Sequence, residues 1–188
     1  PAASALRSGN LSSRRYGTAL HRGLELLANQ GQLPSECPEF VRRALRFQLT
    51  ELSSPSNDIT DELSSLVSDV NRVLQDDAGR WMLSAHHQDA QAELALFVAE
   101  DQRQIVVDRT FIDKQTGIRW IIDYKTSRPA GEASLSDFFS EEAARYRDQL
   151  ITYRSAMQRY DKSHHRDVVE TRMALYFSAL AVLHELPA

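Results

Sequence analysis

Two acidic residues stand at the ends of apolar, β-favouring runs in the middle of the chain. Asp108 follows the run 105–107, and Asp123 follows the run 120–122, with Lys125 two positions further on. Because side chains alternate along a strand, Asp123 and Lys125 are expected on the same face. Two carboxylates can hold a hard divalent cation, and the lysine places a positive charge beside it. This combination predicts metal-assisted hydrolysis of a phosphodiester.

The same residues have a purely structural interpretation, an exposed Asp–Lys pair on an edge strand, because an Asp-x-Lys sequence is frequent by chance. Two further features favour chemistry. His21 closes the pattern Gly-Thr-x-x-His in a helical stretch, and Gln149 and Tyr153 lie one helical turn apart on one face. A histidine on a helix can equally be a structural residue whose ring is satisfied by a neighbour, so this alternative stays open for His21.

The N-terminal elements are predicted from hydrophobic periodicity. Leucines at helical spacing predict a helix over 16–29, which carries His21, and a second helix begins at Pro38. A third helix is predicted over 60–75. Between the second and third helices, the polar cluster 53–58 predicts a turn.

Strands follow after Gly79. Residues 91–99 and 104–112 favour strands, and a turn over 114–117 leads into a buried strand over 118–124. The last two strands predict a β-hairpin, which would bring Asp108 and Asp123 side by side.

A helix over 141–160 and a strand over 172–177 complete the predicted elements. The helix carries Gln149 and Tyr153. Helices first, then a β-meander, then a helix and a strand predict an α/β fold with a central sheet flanked by helices and an N-terminal helical part.

Taken in order, these motifs resemble the RecB-type nuclease domain of the PD-(D/E)XK superfamily, found at the C-terminus of RecB- and AddA-like helicase–nucleases related to UvrD and Rep. The family pattern is Gly-Thr-x-x-His on a helix, an aspartate on one strand, Asp-Tyr-Lys on the next strand and Gln-x-x-x-Tyr on a helix. The resemblance spans about residues 16–177. Each motif is weak alone, whereas four in this order are specific. The resemblance implies a restriction-endonuclease-like core, with a mixed β-sheet between helices.

The resemblance also implies a metal site. It assigns His21, Asp108 and Asp123 as ligands of Mg²⁺, for which Mn²⁺ can substitute, together with the backbone carbonyl of Tyr124. Lys125 is expected to orient or activate the attacking water and to stabilise the charge that develops on the phosphate. These four side chains form the expected catalytic set.

Three other residues are expected to support the site. The resemblance implies that Gln149 and Tyr153 brace the site or contact DNA. Glu93 lies in a segment similar to a strand element of the family and is expected in a secondary role. Many family members have glycine where this chain has Ile105, which alters how closely DNA can approach the strand but removes no ligand.

The function implied is that of an Mg²⁺-dependent deoxyribonuclease similar to exonuclease V, acting in double-strand break repair and recombination. Its substrate would be single-stranded DNA or duplex ends, delivered by a UvrD/Rep-like helicase motor in cis or in a partner subunit. The chain has no phosphate-binding loop of the form Gly-x-x-x-x-Gly-Lys-Ser/Thr, so the motor must lie elsewhere. Two rivals stay open: an inactive nuclease-like module that binds DNA or protein, and a structural end-cap of a helicase.

Length and termini bound the domain organisation. The 188 residues suit one domain, which we place at 15–188 after a flexible lead-in over 1–14. The sequence does not begin with methionine, and we expect it to be a piece of a larger helicase–nuclease.

Composition excludes several classes of protein. The single cysteine, Cys37, excludes an internal disulfide and a cysteine zinc cage, and favours the reducing cytoplasm. No apolar run approaches the roughly 20 residues of a membrane helix. The adjacent pairs His86-His87 and His164-His165 lack spaced zinc partners and are expected on the surface. The net charge of −4 disfavours a passive nucleic-acid binder but not a nuclease whose carboxylates hold cations.

Overall fold

The computed structural model describes residues 2–52, 58–98, 102–131 and 134–187. Most of the turn predicted over 53–58 therefore lies outside the described residues. Within the described ranges the chain forms five helices and five strands. The helices are α1 (Ala2–Ala28), α2 (Glu39–Glu51), α3 (Thr60–Gln75), α4 (Asp77–Leu83) and α5 (Leu135–Ser163), and the strands are β1 (Gln88–Val98), β2 (Arg103–Ile112), β3 (Ile118–Lys125), β4 (Glu170–Phe177) and β5 (Val182–Leu186).

The strands form one five-stranded mixed sheet in the order β1-β2-β3-β4-β5. Strands β3 and β4 are parallel, and the other neighbours are antiparallel. Helix α5 makes the connection between the two parallel strands, as a parallel pair requires. The predicted hairpin of β2 and β3, the mixed sheet, its flanking helices and the N-terminal helical part are all confirmed. This architecture is consistent with a restriction-endonuclease-like core.

Two hydrophobic cores hold the layers together, one on each face of the sheet. Helices α1–α4 pack on the first face, with Leu20 and Leu24 of α1 against Ile122 of β3. Helix α5 packs on the second face, where Leu150 and Met157 meet the sheet. Burial of one such side chain contributes roughly 1.5–3 kcal/mol to the free energy of folding. Replacing a fully buried leucine by alanine would cost about 2–5 kcal/mol.

The two long helices extend beyond their predicted bounds. Helix α1 already includes residues 2–14, which we expected to be a flexible lead-in, because alanine, leucine and arginine in that segment are strong helix formers. Helix α5 begins at Leu135, where Ser134 Oγ accepts a hydrogen bond from the backbone N–H of Asp137 at 3.1 Å. Although these helices are 27 and 29 residues long, no helix among the described residues is both long and apolar enough to cross a bilayer.

Helix α4 was not predicted, because its central Gly79 suggested a chain break. The Asp76 side chain caps this helix by accepting a hydrogen bond from the N–H of Gly79 at 2.8 Å. The same carboxylate accepts a hydrogen bond from the hydroxyl of Tyr176 in β4 at 2.9 Å. A Cβ at position 79 would lie 2.2 Å from the backbone oxygen of Val73, so the tight step from α3 to α4 requires glycine. The short edge strand β5 was also missed.

His87 was predicted to lie on the surface, and this prediction is wrong. Its side chain is only 9% exposed. The ring stacks on Phe111 with a centroid distance of 4.0 Å, and Nε2 lies 2.8 Å from the backbone oxygen of Trp81, to which it donates. His87 therefore packs as an aromatic core residue at the start of the sheet. His86, in contrast, is exposed as expected.

Candidate active site

Strand β1 changes the face that it buries at Glu93. Ala90 and Ala92 pack against the core under α1–α4, whereas Leu94 and Leu96 pack into the core under α5. All four are even-numbered, so an undisturbed strand would place them on one face. Glu93 has a φ of +52°, a left-handed conformation that reverses the alternation. The irregularity turns the second half of β1 over.

Strand β2 changes face at the same level. Ile105 and Val107 lie in the α5 core, whereas Phe111 lies in the other core. The pairing of β2 with β3 covers only 109–112 against 119–122. Asp108 therefore lies immediately beyond the last paired residue of β2, where the two strands begin to separate. Asp123 lies at the corresponding point of β3, so the sheet opens between the two carboxylates.

Helix α1 places His21 over this opening. Its Nε2 lies 3.2 Å from the backbone oxygen of Tyr124, and its Nδ1 lies 3.5 Å from Asp108 Oδ1 and 3.8 Å from Glu93 Oε1. Each of His21, Glu93 and Asp108 offers one atom within 4.8 Å of the other two. We call these three residues the His–Glu–Asp cluster. When the Nε2 proton is donated to the carbonyl, the Nδ1 lone pair faces the carboxylates.

Asp108 is fixed by the backbone of β3. Its Oδ2 accepts a hydrogen bond from the N–H of Tyr124 at 2.7 Å, which replaces the pairing that β2 and β3 no longer make at this level. The other oxygen, Oδ1, faces His21. The backbone thus holds one oxygen of the buried Asp108 carboxylate, while the other oxygen faces the His21 ring.

Asp123 is held from the side of helix α5. Its Oδ1 accepts from Gln149 Nε2 at 2.8 Å, and its Oδ2 lies 2.5 Å from the ammonium of Lys125. The amide of Gln149 also donates to the hydroxyl of Tyr153 at 2.9 Å. The Lys125 ammonium lies over the ring of Tyr146, 3.4 Å from its centroid. Gln149 and Tyr153 therefore hold the carboxylate of Asp123 in place. Lys125 is oriented by the charge of Asp123 and by the aromatic face of Tyr146.

The electrostatics of the opening favour a bound cation. Burial and the neighbouring Asp108 raise the pKa of Asp123 to about 6. Burial, together with Asp108, also raises the pKa of Glu93. Burial lowers the pKa of His21, but the hydrogen bond and charge of Asp108 outweigh this, and its pKa is raised. Positive charge nearby would therefore lower the free energy of the ionised forms of Glu93 and Asp123.

The donor set fits a hard divalent cation. Glu93 Oε1 is buried without a hydrogen-bond partner among the described residues. An orphaned carboxylate oxygen is costly unless it coordinates an ion. Carboxylate oxygens and one imidazole are donors suited to Mg²⁺ or Mn²⁺, and thiolates are absent from the group.

Every residue proposed from the sequence as a ligand, catalytic group or support of the site lies at this opening or touches a residue that does. Glu93, expected in a secondary role, lies inside the cluster with His21 and Asp108. This position was hard to predict, because no glycine marks position 93 as a residue with positive φ. Tyr146, which contacts Lys125, was not among the residues predicted to support the site. The position of Tyr146 one helical turn before Gln149 is the sequence feature that could have placed it near the site.

Comparison with known proteins agrees with this geometry. No curated protein matches the chain. The profile of the PD-(D/E)XK nuclease superfamily matches it over residues 3–185. This range includes β1–β4, all but the last residue of β5 and all the residues of the candidate site, and the chain therefore belongs to the PD-(D/E)XK nuclease superfamily.

Proposed function

We propose that the chain is a metal-dependent DNA nuclease domain that hydrolyses phosphodiester bonds. The observation that carries the proposal is the His–Glu–Asp cluster beside the Asp123–Lys125 pair, at the point where β2 and β3 separate. Superfamily membership supplies the nuclease-like fold. The placement of the charged groups supports an intact site rather than an inactive module or an end-cap.

His21, Glu93, Asp108 and Asp123 would hold the metal, with the backbone carbonyl of Tyr124 as a further oxygen donor. Asp108 and Asp123 are anchored through one oxygen each by hydrogen bonds of 2.7 and 2.8 Å, so their geometry is set before the ion arrives. When bound, Mg²⁺ polarises a phosphoryl oxygen and lowers the pKa of a coordinated water.

Lys125 acts on the phosphate itself. Its ammonium is confined between Asp123 Oδ2 and the ring of Tyr146, so it is oriented before substrate binds. From this position it donates a hydrogen bond to the attacking water or to a non-bridging oxygen as negative charge develops. Gln149 and Tyr153 keep Asp123 in place and line the wall that the substrate strand meets.

A cleft beside the site supports access for a nucleic-acid strand. It has a volume of about 580 Å³ and lies between residues 103–106 of β2 and residues 148–153 of α5. Gln149 and Tyr153 belong to both the cleft and the candidate site. Gln149, which lines the cleft, contacts Asp123 directly, so the cleft leads to the candidate site.

We further propose that the domain works with a UvrD/Rep-like helicase motor, as an exonuclease V-like enzyme of double-strand break repair and recombination in the cytoplasm. The order of the four motifs and the lack of an ATP-binding loop support this part of the proposal. A motor that feeds single strands would also compensate for the acidic net charge of the chain.

The test is cleavage of end-labelled linear single-stranded and duplex DNA with Mg²⁺, with EDTA as the metal-free control. We expect cleavage only with Mg²⁺ or Mn²⁺. Asp108→Asn should abolish it, whereas Asp137→Asn, on the exposed first turn of α5, should not. A wild-type chain that binds the ion but cleaves neither substrate would contradict the proposal.

A further inference from the structure

A second polar cavity lies next to the candidate site, and its lining includes Thr126, the residue after Lys125. It has a volume of about 400 Å³ and lies between α1, α3 and the segment that follows β3. Its lining is Ser12, Ser13, Tyr16, Glu62, Ser65, Thr126 and Arg128. We call this cavity the hydroxyl pocket, because five of its seven lining residues carry hydroxyl groups.

The pocket continues the line of the candidate site. Ser13, Gly17 and His21 follow one another at four-residue spacing along one side of α1, and eight residues of helix span about 12 Å. Strand β3 runs beside them, with the Tyr124 carbonyl at His21 and Thr126 at Gly17. A Cβ on Gly17 would lie 3.9 Å from the Thr126 hydroxyl, so helix and strand are close here. A strand of DNA at the metal site therefore reaches the pocket within a few nucleotides.

Arg128 is held at the pocket by a buried anchor. Asp69 is only 1% exposed, and its carboxylate accepts from the hydroxyl of Tyr16 at 2.9 Å and from Arg128 at 3.0 Å. Arg72 donates to the same carboxylate at 2.7 Å. The Arg128 side chain nevertheless stays 55% exposed, so its guanidinium is oriented without being buried.

The charges at the pocket favour an anion. Three guanidinium groups, of Arg15, Arg72 and Arg128, stand against the carboxylates of Glu62 and Asp69, and Arg15 pairs with Glu62. Arg15 balances Glu62, and the two guanidinium groups on Asp69 leave one positive charge beside the pocket, in a chain whose net charge is −4. A phosphodiester carries one negative charge and several acceptor oxygens, which hydroxyl and guanidinium donors match.

We propose that the hydroxyl pocket binds a backbone phosphate of the DNA strand a few nucleotides from the bond that is cleaved. Arg128 supplies the charge, and the Thr126 hydroxyl, directly after Lys125, supplies a donor. The pocket thus fixes the register of the strand over the metal site. This inference rests on the proposed nuclease function, because it takes DNA as the ligand.

The chain offers a matched pair of variants. Arg128→Gln and Arg72→Gln each remove one guanidinium from Asp69, but only Arg128 lines the pocket. Binding of a labelled single-stranded oligonucleotide is measured in Ca²⁺ over a range of salt concentrations. We expect Arg128→Gln to weaken binding about tenfold. Loss of one phosphate contact should also reduce the slope of log K against log salt by about 0.7.

Arg72→Gln removes the same charge but no group that lines the pocket, so it should weaken binding less than Arg128→Gln does. Unfolding curves show whether either variant is folded. Thr126→Val, which leaves Asp69 untouched, should weaken binding in the same direction. In Mg²⁺, Arg128→Gln should raise KM for the oligonucleotide more than it lowers kcat, because the pocket holds the strand away from the bond that is cleaved.

Two outcomes separate this inference from the proposed function. If the wild type cleaves DNA and Arg128→Gln binds oligonucleotide as wild type does, the pocket assignment is overturned while the nuclease stands. If the wild type cleaves nothing and the binding loss in Arg128→Gln persists, the pocket stands and the nuclease proposal fails.

Discussion

Lys125 is the residue on which the proposed chemistry most depends. Replacing it with alanine should reduce the single-turnover cleavage rate by about 10²–10³-fold, because one preorganised donor to the developing charge is lost. Metal binding should change little, since Lys125 contributes no ligand. Single-turnover cleavage and calorimetric metal titration measure the two effects separately. Lys114→Ala, at an exposed position in the β2–β3 turn, is the control.

Asp123→Ala should behave differently from Lys125→Ala, because it removes a proposed ligand. We expect it to weaken metal binding as well as cleavage. If Lys125→Ala cleaves DNA at nearly the wild-type rate, Lys125 has no catalytic role and the Asp-x-Lys motif is only a charged pair.

His87 gives the fold a defined acid sensitivity. Burial lowers its pKa, although the Trp81 carbonyl and the carboxylate of Asp113, 4.0 Å away, act in the opposite direction. The nearby cations of Arg109 and Lys114 lower it further. A lowered pKa means that the unfolded chain binds the proton more readily. The free energy of unfolding should therefore fall as the pH drops below about 6.5, the ordinary value for histidine.

His87→Phe tests this expectation, because it keeps the ring that stacks on Phe111 and removes the titrating group. At pH 7.5 the variant should be less stable than wild type, since the hydrogen bond to Trp81 is lost. The difference should shrink as the pH is lowered to 5, measured by urea unfolding. An unchanged pH dependence in the variant would show that His87 is not the group responsible, and His86→Gln is the exposed control.

Most of the candidate site was predictable at the level of single residues. Asp108, Asp123 and Lys125 lie in short motifs whose residue types indicate metal chemistry, whereas the role expected of His21 came from the resemblance to the family. The place of Glu93 was not predictable, because it depends on a backbone conformation that the residue type does not indicate. The aromatic contact of Tyr146 with Lys125 likewise depends on how α5 crosses the sheet.

At the level of elements, β1 changes the face that it buries at Glu93, the residue that this strand contributes to the candidate site. A left-handed φ costs a residue with a Cβ roughly 1–2 kcal/mol, whereas glycine adopts it freely. Glu93→Gly should therefore be more stable than Glu93→Ala by about 1 kcal/mol, the opposite of the usual order inside a strand. Both variants lose the carboxylate, so the comparison isolates the backbone.

Chemical denaturation of the two variants at one pH makes this measurement. Ala95→Gly, at an exposed position two residues further along β1, is the control and should destabilise the fold as glycine normally does in a strand. If Glu93→Ala is the more stable variant, the reversal of β1 does not arise at Glu93.

The elements that sequence periodicity found are those with a full apolar stripe or run. Helix α3 was predicted with its observed bounds, and β2 and β3 to within one residue. Helix α4 has seven residues with a glycine inside, and β5 has five, so neither is long enough to show a period. Their positions depend on tertiary contacts such as the Asp76–Tyr176 hydrogen bond, which local sequence does not reveal.

On the scale of the whole molecule, the acidic net charge disfavours DNA binding, although the proposed reaction requires DNA as its substrate. A net charge of −4 gives little of the counterion release that drives binding to DNA, and the positive sites described here are local. In the proposed function, metal ions at the site and a helicase motor that delivers the strand would compensate for this weak attraction. A tethered motor would do this by raising the effective concentration of DNA to about the millimolar range.

We accordingly expect the chain alone to bind single-stranded DNA weakly, with a Kd of about 1 μM or higher at physiological salt in EDTA. Fluorescence anisotropy of a labelled oligonucleotide measures this, and Ca²⁺ should tighten binding by neutralising the crowded carboxylates. Fusion through a flexible linker to a single-strand-binding domain should raise cleavage at low DNA concentration without changing the maximal rate, because tethering alters encounter and not chemistry. The same domain added unlinked is the control. Nanomolar binding by the chain alone in EDTA would mean that its surface, and not delivery, supplies the affinity.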